Sequence, residues 1–200
     1  MGILESLESS GFAVWVRESP SLLAYQLYIT LHTIGLAMVV GVSSAFSFRI
    51  LGVASDMPLA PMERYLRFMW LGFWINALSG VVLFVLEPFK FLTLPVFYIK
   101  MLAVAVAVIA VRKIAAQVLR GPAAVRGLEP AAAKTLAVVV MASWAVAIVA
   151  GRVGAYSTYI QLQATAAAIV TGVILAIGWA VLGRRVGLAE PKAGSARSIA

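Results

Sequence analysis

A single apolar stretch near the start of the chain constrains the fold more than any other feature. It covers residues 25–51, Y-Q-L-Y-I-T-L-H-T-I-G-L-A-M-V-V-G-V-S-S-A-F-S-F-R-I-L, and it contains His32, the only histidine of the 200-residue chain. A helix rises about 1.5 Å per residue, so about 20 residues cross the hydrocarbon core of a bilayer. The stretch therefore predicts a membrane-spanning helix, and any site that uses an imidazole is built around it.

Composition supports a helical membrane protein over a soluble domain. Hydrophobic residues make up 62% and charged residues 12% of the chain, whereas a soluble domain carries about 25% charged residues. The apolar segments show no strand-like alternation, which disfavours a transmembrane barrel. Cysteine is absent from the sequence, and this excludes disulfides, thiolate catalysis and sites with cysteine ligands. We expect an all-α membrane protein.

Five segments have the length and apolar character of a membrane-spanning helix. The predicted spans cover residues 25–49, 66–86, 95–111, 135–152 and 160–182. Glu87 ends the second span because it precedes Pro88, and the residue before a proline resists helical geometry. Residues 20–183 thus form a bundle of five transmembrane helices.

The segments on either side of this bundle differ in character. In residues 1–19, Ile3 and Leu7 begin an apolar helical stripe that ends near Trp15. Such a stripe is typical of an amphipathic helix that lies at the membrane interface. Residues 184–200 are basic and rich in small residues, which predicts a disordered cytoplasmic tail.

The distribution of basic residues predicts the orientation. The loop after the third span carries Arg112, Lys113, Arg120, Arg126 and Lys134 against Glu129, and the tail carries Arg184, Arg185, Lys192 and Arg197 against Glu190. Basic segments near span ends stay on the cytoplasmic side. Five spans, with the N-terminus outside and the C-terminus inside, satisfy both segments. The net charge of +8 therefore indicates membrane topology and not nucleic-acid binding.

Two of the predicted spans carry ladders of small residues. The ladders are Ala37, Gly41 and Ala45 in the first span, and Ala164, Ala168, Gly172, Ala176 and Ala180 in the fifth. Small residues at intervals of four let helix backbones approach closely in membranes. The ladders predict helix contacts, either within one chain or in a homodimer.

Candidate binding residues surround His32 on the first span. At 100° per residue, Tyr28 and Gly35 fall on the same helical face as His32, about opposite the Ala37–Gly41–Ala45 ladder. The face thus presents an imidazole and a phenol, and we expect Gly35 to leave room for a ligand.

Other polar residues fall at a similar depth in the predicted bundle. They are Asn76 and Glu87 of the second span, Lys100 of the third, and Arg152 and Tyr156 at the end of the fourth. Polar groups inside a membrane usually face the bundle interior, so the cluster predicts a pocket that opens outward. Structural alternatives remain open. His32 and Asn76 would each form a hydrogen bond between helices. Lys100 would extend to the headgroups or pair with Glu87. Arg152 would only mark the end of a span.

Four motifs give the chain a family resemblance. They are T-L-H-T-I-G-L-A-M-V-V-G (30–41), L-S-G-V-V-L-F (78–84), P-V-F-Y-I-K-M-L (95–102) and A-G-R-V-G-A-Y (150–156), in this order. In this combination the chain resembles a domain-of-unknown-function family of small bacterial inner-membrane proteins. The resemblance covers the first four spans. It implies a multi-pass protein of the bacterial inner membrane with His32, Lys100 and Arg152 at motif positions. The family typically has a glutamate three residues before the histidine, where this chain has Ile29, and no activity is established for it.

These observations favour a protein that binds a cofactor in the membrane. His32 is the candidate metal ligand of a b-type haem, with Lys100 and Arg152 as partners of its propionates. A quinone bound by His32 and Tyr28 is the alternative cofactor. Such a component would meet a redox partner at the outer face.

A second class of function is a permease-like or accessory subunit that binds an anionic solute or lipid, or a structural partner of a larger membrane complex. The sequence contains no nucleophile–base pair, metal triad or phosphate-binding loop. It therefore favours a non-enzymatic protein and leaves a redox role open.

Overall fold

A computed structural model of the chain describes residues 2–53, 60–116 and 130–154. It also describes four single positions, Gln163, Ala166, Ala167 and Val170, which are helical. The chain divides into two compact units, Met1–Ala155 and Tyr156–Ala200, and the helices below belong to the first. Apart from the four single positions, the predicted fifth span, Tyr156 and the predicted tail at 184–200 lie outside the described residues.

The described part of the chain is almost entirely helical and contains no strand. Its helices are α1 (Ile3–Glu8), α2 (Gly11–Glu18), α3 (Tyr25–Leu51), α4 (Tyr65–Leu86), α5 (Pro88–Thr93), α6 (Pro95–Ile114) and α7 (Pro130–Val153), with a 3₁₀ turn at Ala60–Arg64 before α4. Four of them, α3, α4, α6 and α7, are long and apolar enough to cross a membrane. The all-α class is confirmed over the described residues. The four long helices coincide with the first four predicted spans and are candidates to cross a membrane, which indicates a membrane protein.

Prolines and a glycine set the ends of these long helices. Pro95 and Pro130 are the first residues of α6 and α7, where the missing N–H of proline costs no helical hydrogen bond. Gly52 ends α3 in the left-handed conformation, with φ of 103°, which glycine adopts without the steric penalty of a side chain. As a result, α7 begins at Pro130, earlier than the predicted start at residue 135.

The N-terminal segment forms two short helices and not the single helix predicted for residues 1–19. The break lies at Ser9 and Ser10. Ser9 donates its hydroxyl to the carbonyl of Glu5 at 2.7 Å, and the N–H of Ala13 donates to the Ser10 hydroxyl at 3.3 Å. Serine hydroxyls compete for backbone groups in this way and favour helix ends over helix interiors. One helix therefore closes, and the next opens, within two residues.

The four long helices pack as a bundle with a shared core. Along its length α3 packs against α4, α6 packs against α7, and α3 also contacts α7. All four contribute to the buried cluster, for example through Val39, Met69, Val111 and Trp144. We call the end where α3 and α6 begin the His32 end, and the end where they finish the basic end.

Two glycines bring α3 and α4 close together. A Cβ added at Gly35 would lie 2.5 Å from the backbone nitrogen of Asn76 and 2.7 Å from the carbonyl oxygen of Gly72. The small-residue ladder of α3 does not make this contact: Ala37, Gly41 and Ala45 are exposed. We predicted that Gly35 leaves room for a ligand. Instead, α4 fills the space beside Gly35, and the missing side chain allows the two helices to pack closely.

The short helices dock at the His32 end. Ala13 and Val16 of α2 are buried together with Leu86 at the end of α4. Arg17 donates a hydrogen bond from Nη1 to the carbonyl oxygen of Leu86 at 2.9 Å. The last carbonyls of a helix lack partners within it and attract cations. The contact therefore ties α2 to the C-terminus of α4.

Candidate functional site

The imidazole of His32 is held by the backbone of α4. Its Nδ1 lies 2.9 Å from the carbonyl oxygen of Asn76 and 3.4 Å from the hydroxyl oxygen of Ser79. A carbonyl oxygen only accepts hydrogen bonds, so Nδ1 donates, and in the neutral ring Nε2 then carries the lone pair. The Ser79 hydroxyl donates to the carbonyl of Ile75 at 2.6 Å. The tautomer of His32 thus follows from its contact with a neighbouring helix.

A second hydrogen bond locks the two helices at this level. Asn76 donates from Nδ2 to the carbonyl oxygen of His32 at 2.7 Å, so the two residues bond each other's backbone. Gly80 leaves room for the ring, since an added Cβ there would lie 3.1 Å from Cε1 of His32. The interhelical hydrogen bond considered for Asn76 is confirmed, and Asn76 belongs to the support of His32.

The other ring nitrogen of His32 remains available. Within the part of the chain that the structure describes, Nε2 has no hydrogen-bond partner, and the side chain is only partly buried. An orienting bond at one ring nitrogen and a free lone pair at the other is the arrangement found at metal-ligating histidines. The same lone pair can accept a hydrogen bond from a hydroxyl group.

Lys100 lies at the same end of the bundle, on α6. Its side chain runs along Gly151 of α7, and Nζ would lie 3.7 Å from a Cβ added there. The partly buried ammonium has no hydrogen bond or ion pair with any residue in the described ranges. The structure therefore places His32 and Lys100 at the same end of the bundle, one with a free ring nitrogen and the other with a charge that no described residue neutralises.

Glu87 does not neutralise Lys100. Its carboxylate lies 2.6 Å from Nζ of Lys90, three residues further along the chain, and both side chains are about half exposed. The sequence left open a pair between Glu87 and Lys100. The start of α5 at Pro88 brings Lys90 closer, because Lys90 lies within this short helix, three residues after Glu87.

Tyr28 and Arg152 form no hydrogen bond with His32 or Lys100 in the described structure. The Tyr28 ring packs edge-to-face against Phe12 of α2, with centroids 6.2 Å apart, and contacts the cluster around Leu86. Arg152 is exposed in the last turn of α7. Tyr156 lies outside the described residues. The geometry thus retains His32 and Lys100 as candidate ligand-binding groups, with Asn76 behind the imidazole.

Three residues of this site were named in the sequence only as members of motifs and not as site residues: Ser79 and Gly80 of α4, and Gly151 of α7. A signal for Gly80 was present, because Gly72, Asn76 and Gly80 recur at intervals of four and so share one face of α4. Small and amide residues on one face of a membrane helix are typical of a close interhelical contact. Gly151 belongs to the A-G-R-V-G-A-Y motif, but the motif alone does not indicate its contact with Lys100.

Comparison of the chain with models of known protein families, with curated proteins and with solved structures finds no match. The chemistry of the site therefore rests on its own residues. Among the described residues, no group of three or more histidine, cysteine or acidic side chains lies close enough together to hold a metal ion. What the site offers is one nitrogen ligand, one cation and an apolar surrounding.

Proposed function

We propose that this chain is a membrane protein that binds a redox cofactor at the His32 end, with b-type haem as the first candidate. One observation carries the proposal: His32 donates from Nδ1 to the carbonyl of Asn76, which leaves the Nε2 lone pair for iron. Haem iron in proteins is often held by a histidine whose other ring nitrogen is hydrogen-bonded. Haem would supply one-electron chemistry when bound.

The side chains around His32 suit the remaining parts of a haem. Lys100, a cation without an acidic partner among the described residues, would pair with a propionate, and Arg152 is available at the end of α7 for the other. The carbonyl of Asn76 would keep the imidazole in one orientation. The chain has a single histidine, so Tyr28, Met38 or the His32 of a second copy of the chain would be the candidates for any further protein ligand to the haem.

The proposal includes a topology. We propose five spans in the bacterial inner membrane, with the His32 end outside and the basic end in the cytoplasm, because Arg112 and Lys113 lie at the basic end. In this arrangement α1 and α2 lie at the outer interface, where Trp15 is 46% exposed and suits the headgroup region. The proposed membership of a domain-of-unknown-function family of small inner-membrane proteins agrees with this topology.

An absorption spectrum of the detergent-purified protein tests haem binding. The protein is produced with a haem precursor in the medium, and spectra are recorded in the oxidised and dithionite-reduced states. We expect a Soret band that sharpens on reduction, is lost in His32→Ala and persists in Thr33→Ala. Thr33 is a matched control because it adjoins His32, is exposed, and bonds only within α3, to the carbonyl of Ile29. A spectrum without a Soret band, or one that survives in His32→Ala, overturns haem ligation by His32.

A quinone is the second candidate, and the pairing of an acceptor with a donor favours it. Nε2 of His32 can accept from a quinol hydroxyl, while the ammonium of Lys100 can donate to the opposite oxygen. Organic extraction of the purified protein, followed by chromatography, would detect a quinone in near-stoichiometric amount. We expect it to be depleted in His32→Ala and in Lys100→Met, and retained in Thr33→Ala. Equal amounts in all four proteins would show that the quinone is carried by the detergent micelle.

A further inference from the structure

A recess lies at the basic end, far from His32. Its volume is about 380 Å³, and the described residues that line it are Ile109, Arg112, Lys113 and Ala116. Their spacing places all four on one face of α6 and its final turn. The recess therefore follows the helix from the apolar span to the point where the charged residues begin.

The cations of the recess are not neutralised by the described protein. Arg112 and Lys113 are exposed, and neither forms a hydrogen bond or an ion pair with another residue in the described ranges. The surroundings are also positive. The charged side chains at this end, over the described residues, are Arg49, Arg64, Arg67, Arg112, Lys113 and Lys134 against Glu63. An anion that approaches the recess meets two adjacent cations in a positive field.

The lining residue that lies nearest the middle of the span is apolar. Ile109 lies about one helical turn below Arg112, toward the middle of the span, and its side chain is 55% exposed. A free anion would leave this apolar side chain unused. A phospholipid matches both parts, since its phosphate lies at the span end and its acyl chains extend into the membrane.

We propose that this recess is a binding site for an anionic phospholipid. The phosphate lies between Arg112 and Lys113, where the guanidinium supplies a planar pair of donors and the ammonium a point charge. The first acyl carbons pack on Ile109. This site is independent of the cofactor proposed at the His32 end, because it shares no residue with it.

Native mass spectrometry with added lipid tests the proposal. The full chain in a mild detergent is titrated with phosphatidylglycerol and, separately, with phosphatidylcholine. We expect the first lipid to bind more tightly. In the double variant Arg112→Gln/Lys113→Gln, its dissociation constant is expected to rise about tenfold or more, since each basic side chain near a membrane surface contributes measurably to anionic lipid binding.

The matched control is Arg67→Gln/Lys134→Gln. It removes the same two charges from exposed positions at the same end but outside the recess, and we expect a change within about twofold. An equal loss of phosphatidylglycerol affinity in the two double variants would show that the lipid is attracted by the overall charge of this end and not by the recess, and would overturn the proposed site. Equal affinity for the two lipids in the unmodified chain would also overturn it.

A third variant separates a lipid from free phosphate. Ile109→Ser keeps both cations and removes the apolar side chain, so we expect weaker binding of phosphatidylglycerol and no change in its preference over phosphatidylcholine. Inorganic phosphate is then added as a competitor at the same concentration as the lipid. Full displacement of the lipid by phosphate, or unchanged binding in Ile109→Ser, would show an anion site and contradict the lipid site. Circular dichroism and size-exclusion chromatography confirm that each variant is folded.

Discussion

The two ends of the bundle handle polar groups in opposite ways. At the His32 end, His32 and Asn76 lie between α3 and α4, and each bonds the other's backbone at 2.9 and 2.7 Å. At the basic end, Arg67, Arg112 and Lys113 are exposed and bond no described residue. A hydrogen-bonding group between two membrane helices is stabilised by a partner on the facing helix, whereas cations at the membrane surface are solvated by water and headgroups.

Substitutions at the two ends are therefore expected to change different properties: the stability of the bundle at the His32 end, and the binding of anionic lipid at the basic end. Substitutions at the His32 end disturb close helix packing and interhelical hydrogen bonds, so they change the free energy of unfolding. Substitutions of Arg67, Arg112 or Lys113 at the basic end remove an exposed charge and leave the helix packing unchanged. We therefore expect the effect on stability to fall from the α3–α4 contact to the basic end.

The largest effect is expected at Gly35. A methyl group in Gly35→Ala would meet the backbone of α4 at 2.5 Å, and backbone atoms cannot move aside as a flexible side chain can. Overpacking costs about 1–3 kcal/mol or more, and alanine returns about 1 kcal/mol of helix propensity. We expect the free energy of unfolding, measured by titration with sodium dodecyl sulfate, to fall by about 2 kcal/mol.

Gly41→Ala is the matched control for this prediction. It makes the same change on the same helix, but no atom lies within 4 Å of the added Cβ. We expect unchanged or slightly higher stability, by up to about 1 kcal/mol. If the two variants behaved alike, the close contact of α3 and α4 through Gly35 would be contradicted.

The sequence predicts the elements of this bundle better than their contacts. The limits of α3, α4 and α6 follow from apolar length and from Pro88 and Pro95, because both signals are local. The rotation of α3 about its own axis depends on its contacts with other helices and cannot be predicted from the local sequence. Both faces of α3 carry small residues, and only its packing on α4 shows that Gly35 is enclosed while Gly41 is exposed. For the same reason, Lys100 could be placed at the depth of His32, but its position along Gly151 could not be predicted.

Asn76→Ala is expected to have the next largest effect. It removes the hydrogen bond from Nδ2 to the carbonyl of His32, while the bond from the imidazole to the Asn76 backbone remains possible. Interhelical hydrogen bonds in membranes contribute about 0.6 kcal/mol on average and up to about 1.7 kcal/mol. We expect a loss of about 1 kcal/mol in the same titration.

Ser79→Ala provides the comparison for Asn76→Ala. The Ser79 hydroxyl donates within its own helix, to Ile75. It also lies 3.4 Å from Nδ1 of His32, but Nδ1 has a shorter bond to the Asn76 carbonyl, so the removal of the hydroxyl keeps both interhelical hydrogen bonds between His32 and Asn76. We expect a loss of less than about 0.5 kcal/mol. A larger loss in Ser79→Ala than in Asn76→Ala would mean that the hydroxyl, and not the amide, links the two helices.

A smaller and local effect is expected at Arg17, which joins α2 to the end of α4. Arg17→Gln removes the hydrogen bond to the carbonyl of Leu86 but keeps the buried apolar contacts of Ala13 and Val16. We expect faster amide exchange in α2 by hydrogen–deuterium exchange mass spectrometry, with little change in α3. Glu18→Gln is the control, since its exposed carboxylate is 4.0 Å from Arg17 and contributes little. Equal exchange in the two variants would contradict the capping role of Arg17.

The smallest effect on stability is expected at the basic end, in Arg67→Gln. The Arg67 side chain is exposed in the first turn of α4 and bonds no residue in the described part of the chain. A cation at a helix N-terminus also opposes the helix dipole, so its removal slightly favours the helix. We expect the free energy of unfolding to change by less than about 0.5 kcal/mol, with either sign. A loss comparable to that of Asn76→Ala would mean that the basic end is held together by its charged side chains, and the contrast between a packed end and a surface-charged end would fail.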